Sequence, residues 1–244
     1  MLASGSHDEA VFLWDVRAGR IMRSLPAHSD PVGGVDFLPL DGSLIVSCAG
    51  DGLIRIWDSG TGQCLKTLVD EERKGVHGVR FVPNGQFVVG WSVDGCVRLW
   101  DYIGGRIVKT YQGHVNEKFA ICGCVGGYRG GYGAFVASGS EDGQVVVWDV
   151  GSKEVLWRGV GHRKPVLGVD FWRGENGVGV LVSGGLDRDI RVWVEDLEEN
   201  DEKVGMGSGE RKESIQVPVE TFINGHRAER EETDGAEYGM DVDS

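Results

Sequence analysis

An all-β propeller, in which four-stranded blades stack around a central axis, is the fold class that the spacing of tryptophan predicts for this chain. Successive members of one tryptophan series lie 43, 43, 48 and 45 residues apart, at Trp14, Trp57, Trp100, Trp148 and Trp193. Aspartate follows the first four, and Val194 follows the fifth. The 40 glycines are spread along the sequence, which suits many tight turns. A repeat of about 40–45 residues is typical of one blade, and blades stack because none can bury its own faces.

The second unit shows the elements of a blade most clearly. Short β-branched and apolar runs at 31–37, 44–49, 53–58 and 64–68 are separated by glycine and aspartate turns. The Asp51-Gly52 step between the second and third runs predicts a tight hairpin. The pattern recurs in the third and fifth units, and in the fourth unit it predicts an inner strand over 117–125. The first unit holds only three strands, over 2–25, and we expect its innermost strand to precede Met1.

The charge distribution divides the chain after the blades. Residues 195–244 carry 16 acidic and 5 basic side chains, a net charge of −11 out of −13 for the whole chain. We predict propeller blades over 1–194, with the first blade incomplete, a flexible acidic linker over 195–214 and a disordered acidic tail over 224–244. The apolar segment 215–223 is predicted to close the last blade as its outer strand. The competing interpretation is that this segment belongs to the disordered tail.

Composition argues against several classes of function. The repeat region is nearly neutral and has no basic stripe, so we expect no direct binding of nucleic acid. No apolar run is long enough to cross a bilayer, so we expect no membrane partner. The 5 cysteines include no Cys-x-x-Cys pair, which argues against disulfides and a zinc ribbon and favours a reducing, intracellular compartment. No metal-ligand cluster, phosphate loop or isolated nucleophile is visible, so we expect neither an enzyme nor a cofactor.

Recurring polar residues predict a buried hydrogen-bonded chain in each blade. Its members are a histidine before the first strand, a serine in the second, an aspartate in the next turn and the tryptophan of the third. Three units hold all four, namely His28, Ser47, Asp51 and Trp57; His114, Ser138, Asp142 and Trp148; and His162, Ser183, Asp187 and Trp193. The first unit keeps only Ser4, Asp8 and Trp14. In the third unit Gly90 replaces the serine and no histidine is in place. A catalytic triad occurs once, whereas this set recurs, so we interpret it as structural.

Exposed turn residues carry a more specific likeness. They include Ala27-His28-Ser29-Asp30-Pro31-Val32, Pro83-Asn84-Gly85, Asn116-Glu117-Lys118-Phe119 and Ser138-Gly139-Ser140-Glu141-Asp142. Over roughly residues 2–194 the chain resembles the WD-repeat adaptor subunit shared by SET/MLL-type (COMPASS) histone H3 methyltransferase complexes. The resemblance implies about 4.5 blades of a seven-bladed parent. It also implies a nuclear scaffold in chromatin and histone methylation, with subunits of the methyltransferase complex and the histone H3 tail as partners.

The resemblance implies two peptide-binding surfaces. The first is an arginine pocket at the mouth of the central channel, where aromatic rings hold a guanidinium. Its positions fall at Gly50, Gly78, Phe119 and Cys122, of which Phe119 alone keeps a ring. With His77 as a partial substitute next to Gly78, we interpret this rim as a degraded arginine pocket.

The second surface is a shallow groove on the opposite side, which takes an acidic and aliphatic tail peptide. Asn84, Phe87, Leu99 and Lys109 correspond to it, and an amide, a ring, an aliphatic contact and a cation suit such a peptide. The competing interpretation is that Phe87 and Leu99 are strand residues packed between blades.

Two functions are consistent with this sequence. The first is a non-catalytic scaffold of a histone methyltransferase complex, which Asn84 and Lys109 favour. The alternatives are a generic WD-repeat adaptor of another complex, such as a ubiquitin-ligase substrate receptor, and a non-functional truncated product.

Overall fold

The computed structural model describes residues 1–128, 133–175 and 177–195, and the backbone of Val219 and Glu220. Apart from short turns, the described residues are all in strands. In chain order these are β1 Leu2–Gly5, β2 Ala10–Asp15, β3 Arg20–Pro26, β4 Val32–Phe37, β5 Leu44–Ala49, β6 Leu53–Asp58, β7 Cys64–Val69, β8 Val76–Phe81, β9 Val88–Ser92, β10 Cys96–Asp101, β11 Arg106–Tyr111, β12 Gly123–Gly127, β13 Ala134–Gly139, β14 Gln144–Asp149, β15 Val155–Val160, β16 Val166–Arg173, β17 Gly179–Gly185, β18 Ile190–Val194 and β19 Val219–Glu220.

These strands form five antiparallel sheets, and in each sheet neighbouring strands follow one another in sequence. The first sheet has the three strands β1–β3, and the other four sheets have four strands each. The predicted all-β fold of radial blades is therefore confirmed. In the fifth sheet β19 pairs with β18, through Val192 opposite Glu220 and Trp193 opposite Val219. The rest of the segment 215–223, the predicted linker beyond Glu195 and the predicted tail lie outside the described residues.

Apolar side chains between adjacent sheets hold the blades together. Between the second and third sheets, Val46, Ile54 and Ile56 pack against Val79, Phe81 and Trp100 in one buried cluster. Equivalent clusters fill the other three interfaces between neighbouring sheets. Each of the three inner sheets thus depends on two neighbours for the burial of its two faces.

The outer faces of the first and fifth sheets are solvated. Leu2 of the first sheet is 51% exposed, and Trp172 and Ile190 of the fifth are 64% and 62% exposed. Ile190 corresponds by its distance from the strand tryptophan to Ile54, which is buried between two sheets. The five described sheets therefore form an open arc rather than a closed ring.

The second and fifth sheets contain the polar chain with the same geometry. The His28 ring contacts the Asp51 carboxylate through Nδ1 at 3.0 Å and Ser47 Oγ through Nε2 at 2.8 Å. Trp57 Nε1 donates to the same Ser47 Oγ at 2.9 Å. In the fifth sheet His162 lies 2.9 Å from both the Asp187 carboxylate and Ser183 Oγ, and Trp193 Nε1 donates to Ser183 at 2.9 Å. In the first sheet Trp14 Nε1 donates to Ser4 Oγ at 2.9 Å.

An arginine takes the place of the missing histidine in the third sheet. Arg98 donates to Ser92 Oγ at 2.6 Å and to the Asp94 carboxylate at 2.6 Å. Its guanidinium also lies 2.8 Å from the Asp70 carboxylate, which follows the last strand of the second sheet. Burial raises the pKa of Asp94, but the hydrogen bonds from Arg98 and Ser92 outweigh burial and lower it. The Arg98–Asp70 pair links the second and third sheets, while the Arg98–Asp94 pair holds a turn within the third sheet.

The fourth sheet differs from the expectation. Neither ring nitrogen of His114 has a hydrogen-bond partner within the described residues. Trp148 Nε1 donates to the carbonyl of Gln112 at 2.9 Å, and Ser138 Oγ donates to the carbonyl of Gly139 at 2.9 Å. Among the described residues, the Asp142 carboxylate accepts one hydrogen bond, from the backbone N–H of Gln144 at 3.1 Å. The four side chains of the predicted network are thus present, but no hydrogen bond joins one of them to another.

The approach to the inner strand is also longer in the fourth sheet than in the second and fifth sheets. Ser47 pairs with Val35 and Ser183 with Val169, and each of these valines lies seven residues after its histidine. Ser138 pairs with Gly123, which lies nine residues after His114. The two additional residues form a turn, so the inner strand begins at Gly123 instead of 117, and the imidazole ring rests against Trp148 at a centroid distance of 5.4 Å.

Removal of the aspartate should have unequal effects in the second and fourth sheets. Asp51 accepts hydrogen bonds from His28 and from the backbone N–H groups of Ser29 and Leu53, so Asp51→Ala should lower the free energy of unfolding by ~1–3 kcal/mol. Asp142→Ala should cost less than ~1 kcal/mol, because it removes one exposed hydrogen bond. Urea titrations of both variants measure the difference. Equal losses of the free energy of unfolding would contradict a network that is present in the second sheet and missing from the fourth.

Stability should also fall as the pH drops below neutrality. Burial lowers the pKa of His114 from its ordinary value of 6.5 to about 4. Between these pH values the unfolded chain binds a proton that the folded chain does not bind, so this contribution to stability is complete above pH 6.5 and is lost toward pH 4. We expect a loss of roughly 2 kcal/mol from this group between pH 7 and pH 5. Urea titrations at both pH values should show a smaller loss for His114→Phe, and an unchanged pH dependence in that variant would exclude His114 as the source.

Candidate functional site

The predicted arginine-pocket rim lies where the inner strands of the second, third and fourth sheets approach one another. Gly78 and Cys122 face each other across the third and fourth sheets, and a Cβ atom at Gly78 would lie only 2.8 Å from Cβ of Cys122. Only a glycine therefore fits at position 78 beside this backbone. The contact joins two rim positions but provides no aromatic surface.

The remaining rim positions give one half-buried imidazole ring and one phenyl ring. Gly50 directly follows β5, and a Cβ atom on Gly75 would lie 3.3 Å from the Gly50 carbonyl and 3.5 Å from Nε2 of His77. Burial lowers the pKa of His77, so its ring is neutral at pH 7. Phe119 lies in the turn before β12. Two benzene rings on opposite sides of a guanidinium are therefore not formed by these five positions.

Glu141 fixes the turn that carries Phe119. Its Oε1 atom accepts the three successive backbone N–H groups of Glu117, Lys118 and Phe119, at 2.7, 2.6 and 3.1 Å. Burial raises the pKa of this carboxyl group, but the hydrogen bonds from the turn outweigh burial and lower it. Successive N–H groups aimed at one oxygen form an anion-binding concavity, which here is filled by a side chain of the same protein.

Trp91 is a large residue at a position where the other sheets have small ones. Cys48, Gly139 and Gly184 stand at the same distance before the strand tryptophan. The Trp91 ring is completely buried in the interface between the third and fourth sheets. It has room because Gly123 has no side chain, since a Cβ atom there would lie 2.7 Å from Trp91 Nε1. Its signal in the sequence is a tryptophan outside the main series.

The predicted groove residues lie at different depths. Asn84 is exposed in the β8–β9 turn, where its Oδ1 atom accepts the backbone N–H of Gln86 at 3.0 Å. Phe87 is half-buried and packs against the cluster between the third and fourth sheets. These two residues leave an amide group and one side of a phenyl ring accessible at the surface.

Leu99 and Lys109 are held by the interface between the third and fourth sheets. Leu99 is only 3% exposed and belongs to the same cluster as Trp148, which is the packing that the competing interpretation expects. Lys109 pairs across the sheet with Leu99. Its ammonium group donates to the carbonyls of Val150, at 2.7 Å, and Gly151. The lysine therefore binds the fourth sheet while it leaves a positive charge beside the groove.

A further cavity of about 50 Å³ lies between the fourth and fifth sheets. Its walls are mainly aromatic, with Tyr128, Phe135, Trp157, Phe171 and Trp193 among them. The charged groups at the cavity, Arg173 and Glu195, pair with each other at 2.7 Å. The cavity is therefore apolar and electrically balanced, and it favours an uncharged group.

The described residues contain no cluster of three or more histidine, cysteine or acidic side chains arranged to hold a metal ion. They also contain no helix of the length and apolarity needed to span a membrane.

Comparison with known proteins gives relatives that share the repeat. COMPASS component SWD3 of Saccharomyces cerevisiae is 33% identical over 208 residues, which cover 79% of this chain and 64% of that protein. WD repeat-containing protein RUP1 of Arabidopsis thaliana is 32% identical over 201 residues, or 78% of this chain and 51% of that protein. Autophagy-related protein 16 of Arabidopsis thaliana is 26% identical over 174 residues, or 71% and 24%. The chain thus spans less than two thirds of the length of each of these relatives.

The repeat itself matches a known family over most of the chain. The WD domain, G-beta repeat (WD40) matches residues 19–58, 62–101, 105–149 and 154–194. The matched ranges end at or just after the strand tryptophans on which the sheets depend. Together with the five radial sheets, this match shows that the chain belongs to the WD40, or G-beta repeat, family.

Proposed function

We propose that this chain is a non-catalytic adaptor that binds peptide segments of partner subunits in a nuclear histone methyltransferase complex of the COMPASS type. The observation that carries the proposal is the 33% identity to COMPASS component SWD3 over 79% of the chain. Because the chain spans 64% of that relative, the role of the whole relative is transferred here as a proposal.

The groove on the third and fourth sheets supports the choice of partner. Its accessible groups are the Asn84 amide, the Phe87 ring and the positive charge of Lys109. An acidic and aliphatic peptide suits these groups, because the lysine attracts carboxylates while the ring packs against an aliphatic side chain. Leu99 supports this surface from beneath and has no direct contact with the peptide.

The rim lacks the groups that would hold an arginine of a histone H3 tail. Stacking a guanidinium requires aromatic faces on both sides, and the five rim positions supply one phenyl ring and one neutral imidazole ring. The proposal therefore relies on the groove for partner binding and assigns no arginine to the rim.

A complex assembled from purified subunits distinguishes this function from an adaptor role in another pathway. The full chain should co-purify with subunits of a COMPASS-type methyltransferase complex, and its addition should raise methylation of histone H3 by that complex. Absence of both effects, together with co-purification with a ubiquitin ligase, would favour the substrate-receptor alternative.

Asn84→Asp tests the groove without a change in the fold. Asp41 occupies the corresponding turn of the second sheet, where its Oδ1 atom accepts the backbone N–H of Ser43 at 2.8 Å. The turn geometry therefore accepts an aspartate, and the new charge should repel an acidic peptide by ~1 kcal/mol, or about fivefold in affinity. Calorimetric titration with a short synthetic peptide of alternating glutamate and valine measures this change.

The control for this titration is Gln63→Glu, which makes the same amide-to-acid change in the outer turn of the second sheet. It should bind the peptide as the parent does. Lys109→Glu should also weaken binding, but it removes the hydrogen bonds to Val150 and Gly151, so its thermal unfolding must be measured beside its affinity. Equal affinities of the parent and Asn84→Asp would exclude the groove as the peptide site.

A further inference from the structure

The turn between Gly113 and Cys122 satisfies its backbone in a way that differs from the second and fifth sheets. In those sheets an aspartate and a histidine hold the approach to the inner strand. In the fourth sheet the carboxylate of Glu141 holds Glu117, Lys118 and Phe119 through their N–H groups. Neighbouring bonds join the same two segments, since Val115 N–H donates to Ser140 Oγ and Glu141 N–H donates to the Val115 carbonyl, both at 2.9 Å.

This arrangement leaves buried polar groups unpaired. Both ring nitrogens of His114 and Oδ1 of Asn116 have no partner among the described residues, although both side chains are buried. Unpaired buried groups oppose the arrangement that creates them. The carboxylate and its three charge-assisted hydrogen bonds must therefore outweigh this cost.

We infer that Glu141 is a positioning residue of the rim, which holds the 117–119 turn and Phe119 in place and thereby keeps His114 away from Ser138 and Asp142. When the carboxylate is lost, the turn is released and the His114 ring moves into the position that His28 and His162 occupy in their sheets. The inference concerns the free protein. It bears on the proposed function only because Phe119 lies at the rim.

Hydrogen exchange of the free, full-length chain tests the first part. Glu141→Gln keeps the size of the side chain and removes its charge, so exchange of the amides of Glu117, Lys118 and Phe119 should accelerate by about tenfold. Glu117→Gln is the matched control, because it makes the same change on an exposed side chain of the same turn. Equal exchange rates in the two variants would overturn the inference.

The indole N–H signal of Trp148 in NMR spectra tests the second part. In the structure this group donates to Gln112, whereas Trp57 and Trp193 donate to serine. The Trp148 signal should move toward those of Trp57 and Trp193 in Glu141→Gln. In the His114→Phe background, Glu141→Gln should leave the signal where His114→Phe alone puts it, because phenylalanine cannot bridge Ser138 and Asp142. A signal that is unchanged in Glu141→Gln, or that moves equally in both backgrounds, would overturn the role given to His114.

These measurements use no partner and therefore separate the two proposals. Accelerated exchange with no assembly into a methyltransferase complex would leave the role of Glu141 intact and remove the proposed function. Assembly into the complex with unchanged exchange in Glu141→Gln would leave the proposed function intact and remove the role of Glu141.

Discussion

The rest of this structure depends on the burial of sheet faces against neighbouring sheets. A four-stranded sheet with apolar residues on both faces cannot satisfy itself, so each interface is a shared core such as the one that joins Ile54 and Phe81. Surface sites inherit this dependence because their parts come from two blades. Gly78 meets Cys122 across one interface, and Lys109 reaches the carbonyl of Val150 across the same one. A change in the spacing of two sheets would therefore alter both surfaces.

Polar side chains solve one recurring problem in three ways. The turns that connect the strands of a blade contain backbone N–H groups that need hydrogen-bond acceptors. The second and fifth sheets use an aspartate with a histidine, and the third uses Asp94 with Arg98. In the fourth sheet Glu141 binds the turn before β12, and Asp142 binds the N–H of Gln144. In each of these sheets a carboxylate accepts at least one backbone N–H group. Burial raises the pKa of Asp51, Asp94 and Glu141, but their hydrogen bonds and neighbouring charges outweigh burial and lower it. The partner side chain varies, whereas the carboxylate is common to all these sheets.

Sequence periodicity was sufficient for the fold because the tryptophan spacing reports one equivalent position in every sheet, which is buried in the second to fifth sheets and half-buried at Trp14 in the first. It also identified the networks around His28 and His162, where the approach to the inner strand has the same length. It was insufficient for the fourth sheet, because residue types alone do not reveal that two additional residues separate His114 from its strand. Likewise Leu99 matched a family position, yet burial between two sheets depends on the neighbouring blade and is not a property of the residue itself.

The departures from the repeat occur together at one interface. Gly90 replaces a serine and Trp91 replaces a small residue in the third sheet, while Gly123 and the Glu141-held turn are specific to the fourth sheet. The large indole ring needs the missing side chain at Gly123, and Gly78 lies 3.4 Å from the same ring when a Cβ atom is placed on it. Gly78, Trp91 and Gly123 therefore depend on one another, and a larger side chain at either glycine would require a change at the tryptophan.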